Sequence, residues 1–288
     1  MSSLDHPPHS AELKVSFPAE HVLQLTLNRP KALNAMTPQM EADINNILNW
    51  FDNEESLWFV RMLYIAAVII TGEGRAFCAG ADLKAWNEKQ SSGQANEQEM
   101  LAGSVHGFGS ISRRSKTSKP IIAAVNGGTY GGGLEMLLNC DIVIASEEAQ
   151  FALPEVKRGV LAAQGVIPRI AKIAGHQLAS ELLLLGRPIS AAEAQTRFRF
   201  VNQIVPASKV LPTAVEWAKQ IVANSPDAVQ CTKRGLILAG QHGNFEQATL
   251  ALAWSPEARR LYNSANIKEG LKAFSEKRKP SWSNPAKL

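Results

Sequence analysis

The sequence predicts an α/β fold with a strand-rich front and a helical back, on three observations. Short continuous apolar runs recur at 66–71 (AAVIIT), 120–125 (PIIAAV) and 142–145 (IVIA). Runs of this length without polar alternation suit strands covered on both faces. Helical stretches separate them, the pattern of parallel strands joined by crossovers. Beyond Pro168 the helical pattern dominates, over 170–275, with one short apolar piece at 201–205.

Each element follows from its residues. Positions 1–20 are polar, hold three prolines, and are expected to form a flexible N-terminal arm. Residues 22–27 read as a strand, ended by Asn28-Arg29-Pro30. Thr37-Pro38 has the form of a helix cap followed by proline at the first helical position. Met40, Ile44, Ile47, Leu48 and Phe51 then repeat at helical spacing and define one apolar face. The run at 66–71 ends at Gly72. Residues 87–98 are polar, and 113–119 (RRSKTSK) are expected to be a solvated basic loop. Farther on, Ser190-Ala-Ala-Glu193 is a capping box, and Ser225-Pro226 opens a helix with Val229, Leu236 and Ile237 among its apolar positions. The organisation expected is an arm (1–20), a core (21–205) and a helical C-terminal region (206–288).

Composition narrows the function. With 45% apolar and 19% charged residues in 288, the chain is neither disordered, collagen-like nor a coiled-coil rod. Lys and Arg number 30 against 26 Asp and Glu. That excess is too small to imply nucleic acid, but it suits an anionic small ligand. The three cysteines form no CxxC pair and the six histidines no HxxxH or HExxH, so no metal site is expected. The longest apolar run, 62–70, is too short to span a bilayer, and no membrane partner is expected. Neither a secretory signal nor an Arg-rich transit peptide is visible.

Three segments could carry chemistry. The first, 71–84 (TGEGRAFCAGADLK), follows a predicted strand, but Phe77 stands where a dinucleotide fingerprint needs its third glycine. Its Ala79-Gly80-Ala81-Asp82 leaves backbone amides accessible, although alone it reads as a plain strand-to-helix turn. The second, 126–135 (NGGTYGGGLE), holds five glycines in seven residues ahead of an apolar helical stretch. Such a turn lets a ligand approach the backbone, and the helix start offers unpaired N–H groups to an oxyanion or phosphate. No Gly-Lys-Ser/Thr follows, so it is not a Walker A loop. The third, 151–155 (FALPE), places Glu155 twenty residues after Glu135. Two carboxyls can divide acid and base roles if their environments separate their pKa values. Other nucleophiles fit poorly: Ser104 lacks the Gly-x-Ser-x-Gly elbow, and Cys140 sits in an apolar run where it packs.

These residues carry a resemblance. NRPKALNA (28–35), GRAFCAGADLK (74–84), PIIAAVNG (120–127), GGGLE (131–135), CDIVIAS (140–146) and FALPE (151–155) resemble the enoyl-CoA hydratase/isomerase, or crotonase, family. The match runs in order from about residue 22 to the closing FSEKRK (274–279). The resemblance implies a crotonase-like superhelix of ββα repeats with a helical C-terminal trimerisation region, assembled as a homotrimer or hexamer. It implies an acyl-CoA thioester substrate, with coenzyme A as part of that substrate and no other cofactor. The amides of Ala81 and Gly132 would form the oxyanion hole. Glu135 would help activate water and Glu155 would deliver the proton to C2. Lys31, Leu33, Ala79, Asp82, Leu83 and Lys84 match positions lining the CoA site. Phe274 and Lys277 match residues that reach adenine and phosphate, the alternative for 277–279 being a solvated basic tail.

The expected activity is hydration of the C2=C3 bond of a 2-enoyl-CoA, because both glutamates are present. The alternatives are an enoyl-CoA isomerase or other crotonase-type chemistry, and a non-catalytic scaffold or RNA-binding member. The final Ala286-Lys287-Leu288 resembles the Ser-Lys-Leu peroxisomal address, with a cytoplasmic location as alternative. Two departures stand out. Residues 58–66 (WFVRMLYIA) lengthen the chain ahead of the strand that leads to Ala81, as a surface bulge or a translated intron. In 159–165 (GVLAAQG), Ala163-Gln164 replaces the doubled glycine common after the second glutamate, which puts the acyl preference in question.

Overall fold

The computed structural model describes residues 6–53, 66–83, 86 and 97–285. The lengthened segment except Ala66, Lys84, most of the polar 87–98 stretch and the terminal tripeptide lie outside the described residues.

Strand alternation organises the core. The main sheet holds β1 (Leu13–Ala19), β2 (Val22–Leu27), β3 (Ala67–Gly72), β5 (Ile121–Val125), β7 (Ile142–Ser146) and β10 (Gln203–Val205), adjacent in that order. β1 pairs antiparallel with β2, and every later pairing in this sheet is parallel. Successive side chains of a strand point to opposite faces. Val68, Ile70, Ala123, Val125, Val143 and Ala145 therefore enter the main core, while Ala67, Ile69, Ile122, Ala124 and Ile144 face the other side. Both faces are covered, which is why the strands read as unbroken apolar runs.

Helix Pro38–Asn53 covers the first face. Its Met40, Ile44, Ile47, Leu48 and Phe51 are fully buried, and each such side chain contributes about 1.5–3 kcal/mol on leaving water. Thr37 caps the helix by accepting the Met40 N–H at 3.1 Å. Helix Val210–Val222 covers the second face through Val210, Ala214 and Ala218. A boundary at 206 therefore cuts this helix from the sheet that buries it.

A smaller sheet stands beside the first: β4 (Ala76–Cys78), β6 (Gly128–Tyr130), β8 (Gln150–Ala152) and β9 (Ile189–Ser190). Its first three strands are parallel and the last antiparallel. Chain order shows the repeat: β3 then β4, β5 then β6, β7 then β8, each pair giving one strand to each sheet. The capping box forms as expected, with Ser190 Oγ accepting the Glu193 N–H and the Glu193 carboxylate accepting the Ser190 N–H.

Two expectations need correction. Residues 13–19 are not part of a loose arm but form β1, because Leu13, Val15 and Phe17 alternate with Lys14 and Ser16 and pack on the core. The basic stretch 113–119 is not a solvated loop either: Arg114, Thr117 and Lys119 are buried. Arg114 binds Asp52 Oδ2 through Nε and Nη2 at 3.1 and 3.0 Å, and Lys119 Nζ donates to the Phe51 carbonyl. These cations meet the carbonyl end of helix Pro38–Asn53, where the helix dipole favours positive charge. Buried cations need such partners.

Candidate active site

The small sheet builds the site. β4, β6 and β8 lie side by side and parallel, so the chain leaves all three at the same edge. Beyond β4 comes Ala79-Gly80-Ala81, beyond β6 Gly131-Gly132, and beyond β8 Leu153-Pro154-Glu155. The three segments singled out from sequence thus converge at the carboxyl ends of neighbouring strands, the usual ligand-binding edge of parallel sheets.

The first turn is fastened from below by the segment 33–36. Ala79 N–H donates to Leu33 O at 3.0 Å, Met36 N–H to Gly80 O at 2.8 Å and Asp82 N–H to Met36 O at 3.1 Å. None of these bonds uses the Ala81 amide. Asp82 is braced by Arg29, whose Nη1 lies 3.2 Å from its Oδ2 and 2.6 Å from Ala35 O. Arg29 Nε also lies 3.3 Å from Glu12 Oε1.

The second turn abuts the first. A Cβ on Gly80 would stand 2.9 Å from Tyr130 O and 3.4 Å from Gly132 N. Gly80 also has φ +90°, a conformation that side chains rarely adopt. Gly132 opens helix Gly132–Leu137, where the N–H has no carbonyl partner within the helix. The Phe108 ring lies against it, so that a Cβ on Gly132 would meet three ring atoms at 2.6 Å.

Two carboxyls complete the arrangement. Glu135, one turn into that helix, is 3% exposed and accepts the Gln164 N–H on Oε1 at 2.7 Å. Burial, aided by the nearby Glu155 charge, pushes its pKa up to about 7, against the lowering effect of the Gln164 and Val166 amides and of Arg169. Glu155 begins the 3-10 turn Glu155–Arg158, and burial raises its pKa too. Its Oε1 is close enough to the second turn that a Cβ on Gly131 would stand 3.0 Å away. Its Oε2 is buried without a hydrogen-bond partner among the described residues. Two acids held in such different surroundings, one buried and one half-buried, can take a proton from, and give one to, a ligand seated over the turns.

A family model described as enoyl-CoA hydratase/isomerase matches residues 18–285. The chain belongs to the enoyl-CoA hydratase/isomerase family. Two curated relatives are alike over nearly their full length. The mevalonyl-coenzyme A hydratase of Aspergillus fumigatus is 45% identical over 288 residues, covering all of both chains. The mevalonyl-coenzyme A hydratase of Beauveria bassiana is 40% identical over 291, covering 98% of each. Among solved structures, an enoyl-CoA hydratase from Mycobacterium marinum superposes with a TM-score of 0.81 at 31% identity, over 95% of this chain and 99% of that one. The two interleaved sheets are thus the crotonase-like fold. As a member of this family the protein is a hydro-lyase, adding water across the C2=C3 bond of a 2-enoyl-CoA thioester.

The structure brings Ala79, Ala81, Asp82, Gly132, Glu135 and Glu155 to one edge. Leu33 joins them through its bond to Ala79. Lys31 lies in the 3-10 turn Pro30–Ala32 just before it, and Leu83 follows Asp82, half exposed. Phe274 and Lys277 sit instead at the end of the last helix, Ala265–Ser275, with Phe274 86% exposed. Sequence reasoning did not single out Phe108 or Arg29 as individual side chains. The doublet Gly107-Phe108-Gly109 hinted at the first, since glycines on both sides let a ring be pressed onto backbone.

Proposed function

We propose that Glu135 and Glu155 together carry the water, with the amides of Ala81 and Gly132 taking the charge that develops on the thioester oxygen. The observation that carries this reading is one buried and one half-buried carboxyl, both with raised pKa values, at the turn where Gly80 touches Gly132. Water oxygen bonds to C3 as Glu135 accepts its proton, and the C2=C3 electrons pass into an enolate held by the two amides. Glu155 protonates C2, which restores the thioester carbonyl, and the pair then re-equilibrates its remaining proton. One such amide is typically worth about 10²–10³ in rate. Both acids are needed for water addition, which favours hydration over proton shuttling alone. Coenzyme A enters as part of the substrate, and no further cofactor or metal has a part in this scheme. Ala79, Asp82, Leu83, Lys31 and Leu33 are proposed to line the CoA site, with Phe274 and Lys277 reaching its adenine end.

The two fungal relatives direct the substrate choice to a mevalonyl-type thioester, a 3,5-dihydroxy-3-methylpentanoyl ester whose dehydration gives 5-hydroxy-3-methylpent-2-enoyl-CoA. Large apolar side chains exposed on the C-terminal helices, Phe245, Trp254 and Leu271 among them, support a homotrimer or hexamer that covers them. The terminal Ala286-Lys287-Leu288 supports a peroxisomal location, testable by whether a reporter carrying these residues becomes punctate.

The decisive assay supplies that branched enoyl thioester, crotonyl-CoA and a 3-enoyl thioester to the wild-type protein and to Glu155→Gln. Hydration of the branched substrate is expected from the wild type, and a loss of orders of magnitude in Glu155→Gln while CoA-ester binding persists. Unchanged turnover in the variant removes Glu155 from the mechanism.

A further inference from the structure

One side chain beside the acid pair remains unused by the hydration scheme. Gln164 Oε1 is buried and has no hydrogen-bond partner among the described residues. A buried acceptor left unpaired is costly, and native structures leave few of them without a reason. The backbone around it is held at several points. The Gln164 N–H donates to Glu135 Oε1 at 2.7 Å, and its carbonyl accepts from Ser112 Oγ at 2.8 Å. Gly165 follows with φ +110°, and a Cβ there would meet Arg169 Nη1 at 2.5 Å. The carboxamide therefore springs from a fixed backbone one hydrogen bond away from a reacting carboxyl.

We propose that the Gln164 carboxamide is a specificity group, accepting a hydrogen bond from a hydroxyl carried by the acyl chain beyond C3. The inference rests on the reading that the site hydrates a hydroxylated, branched enoyl thioester, and it assigns the residue that reads the hydroxyl. The geometry supplies the reach. Glu135 works at C3, and the Gln164 side chain starts from the residue whose amide touches Glu135. A hydroxyl two carbons past C3 lies within a few ångströms of the reacting carbon, a span that a glutamine side chain starting 2.7 Å from Glu135 Oε1 at its own amide can cover. The glutamine supplies a buried acceptor that a plain hydrocarbon tail leaves unpaired. Sites built to pair a substrate hydroxyl discriminate against the analogue lacking it more strongly than apolar pockets discriminate by size.

The test compares two thioesters on the same preparations: 5-hydroxy-3-methylpent-2-enoyl-CoA and its 5-deoxy analogue, 3-methylpent-2-enoyl-CoA. The readout is the ratio of their kcat/KM values, in which any loss of folded protein cancels. Wild type is expected to favour the hydroxylated ester by about 10–100-fold, the range set by one buried hydrogen bond. Gln164→Met, of similar volume and without the amide, is expected to bring the ratio to near one, chiefly through KM. Gln164→Asn, which withdraws the amide by one methylene, is expected to fall between. A Gln164→Met ratio equal to that of wild type overturns the assignment while leaving the substrate reading intact. A wild type that turns over crotonyl-CoA but not the hydroxylated ester overturns the substrate reading, and the assignment with it.

Discussion

Gly132→Ala isolates the amide that matters most to the proposed hydration. The added methyl would lie 2.6 Å from three atoms of the Phe108 ring. Ordinary carbon contacts begin near 3.5 Å, so the ring or the helix start must yield by about 1 Å. Gly132 is the first residue of its helix and Phe108 the first of the turn Phe108–Ser110. Both are anchored: Ser112 N–H bonds the Phe108 carbonyl at 3.1 Å, and the Gly131 N–H bonds Ala152 O at 3.0 Å. Overpacking of this size costs about 1–3 kcal/mol of stability. A displacement near 1 Å of a catalytic group costs about 10²-fold in rate. The expected result is a kcat down by about 10²-fold and a lowered melting temperature, with KM changed less. Phe108→Ala in the same chain gives the methyl its room, so the double variant should regain most of the lost kcat. Stopped-flow hydration at the enoyl absorbance band measures both. Wild-type kcat in Gly132→Ala, or a double variant no faster than the single, refutes the argument that the ring fixes this amide.

Two further outcomes follow from the site. Glu135 has its pKa raised from 4.5 to about 7 in the folded protein. Its contribution to stability is therefore fully present below about 4.5 and lost as pH rises through about 7, a change of about 3 kcal/mol. Glu135→Gln should flatten that part of the stability curve in denaturant titrations at pH 5 and pH 8, and an unaltered pH dependence counts against the raised pKa. Arg29→Ala removes the brace on Asp82 and Ala35, and should lower kcat about tenfold with little change in KM; Arg29→Lys should not restore it, since the fork is lost. A kcat at the wild-type level in Arg29→Ala argues that the 33–36 backbone bonds alone hold the turn.

Much of this site could be read before any coordinates, for a physical reason. Main-chain amides become available only where glycine or small residues clear the way, and such clusters after apolar runs are visible in a sequence. Ala79–Asp82 and 126–135 stand out that way, although the first alone reads as a plain turn; Glu155 stands out only as a partner for Glu135, and the roles of all of them come from the family resemblance. What stayed hidden were pairings between distant segments. The staple of 33–36 on 79–82 consists of backbone bonds, which carry no residue signature. Arg114 and Lys119 looked solvated because charge runs usually are; their partners, Asp52 and the Phe51 carbonyl, lie more than sixty residues earlier. β1 is masked in the sequence because Pro18 and the polar, proline-bearing residues ahead of it outweigh the alternation of Leu13, Val15 and Phe17.

The loop before helix Val166–Ala174 ties acidity to substrate choice. Amides of Gln164 and Val166 both lower the Glu135 pKa, against the larger effect of burial. The Gln164 residue that donates one of them also carries the carboxamide oxygen that has no partner among the described residues. Shifting this backbone would move the acid and the specificity group together, and a changed substrate range would come with a displaced pH profile. Exchanging the side chain alone leaves the amide in place. Substrate preference can therefore change at position 164 by side chain without retuning the acid, whereas insertions or deletions in 160–165 cannot spare it. Backbone here sets the chemistry and one side chain sets the choice, which is why the Gln164→Met comparison should alter a substrate ratio while leaving the pH of half-maximal hydration where Glu135 puts it.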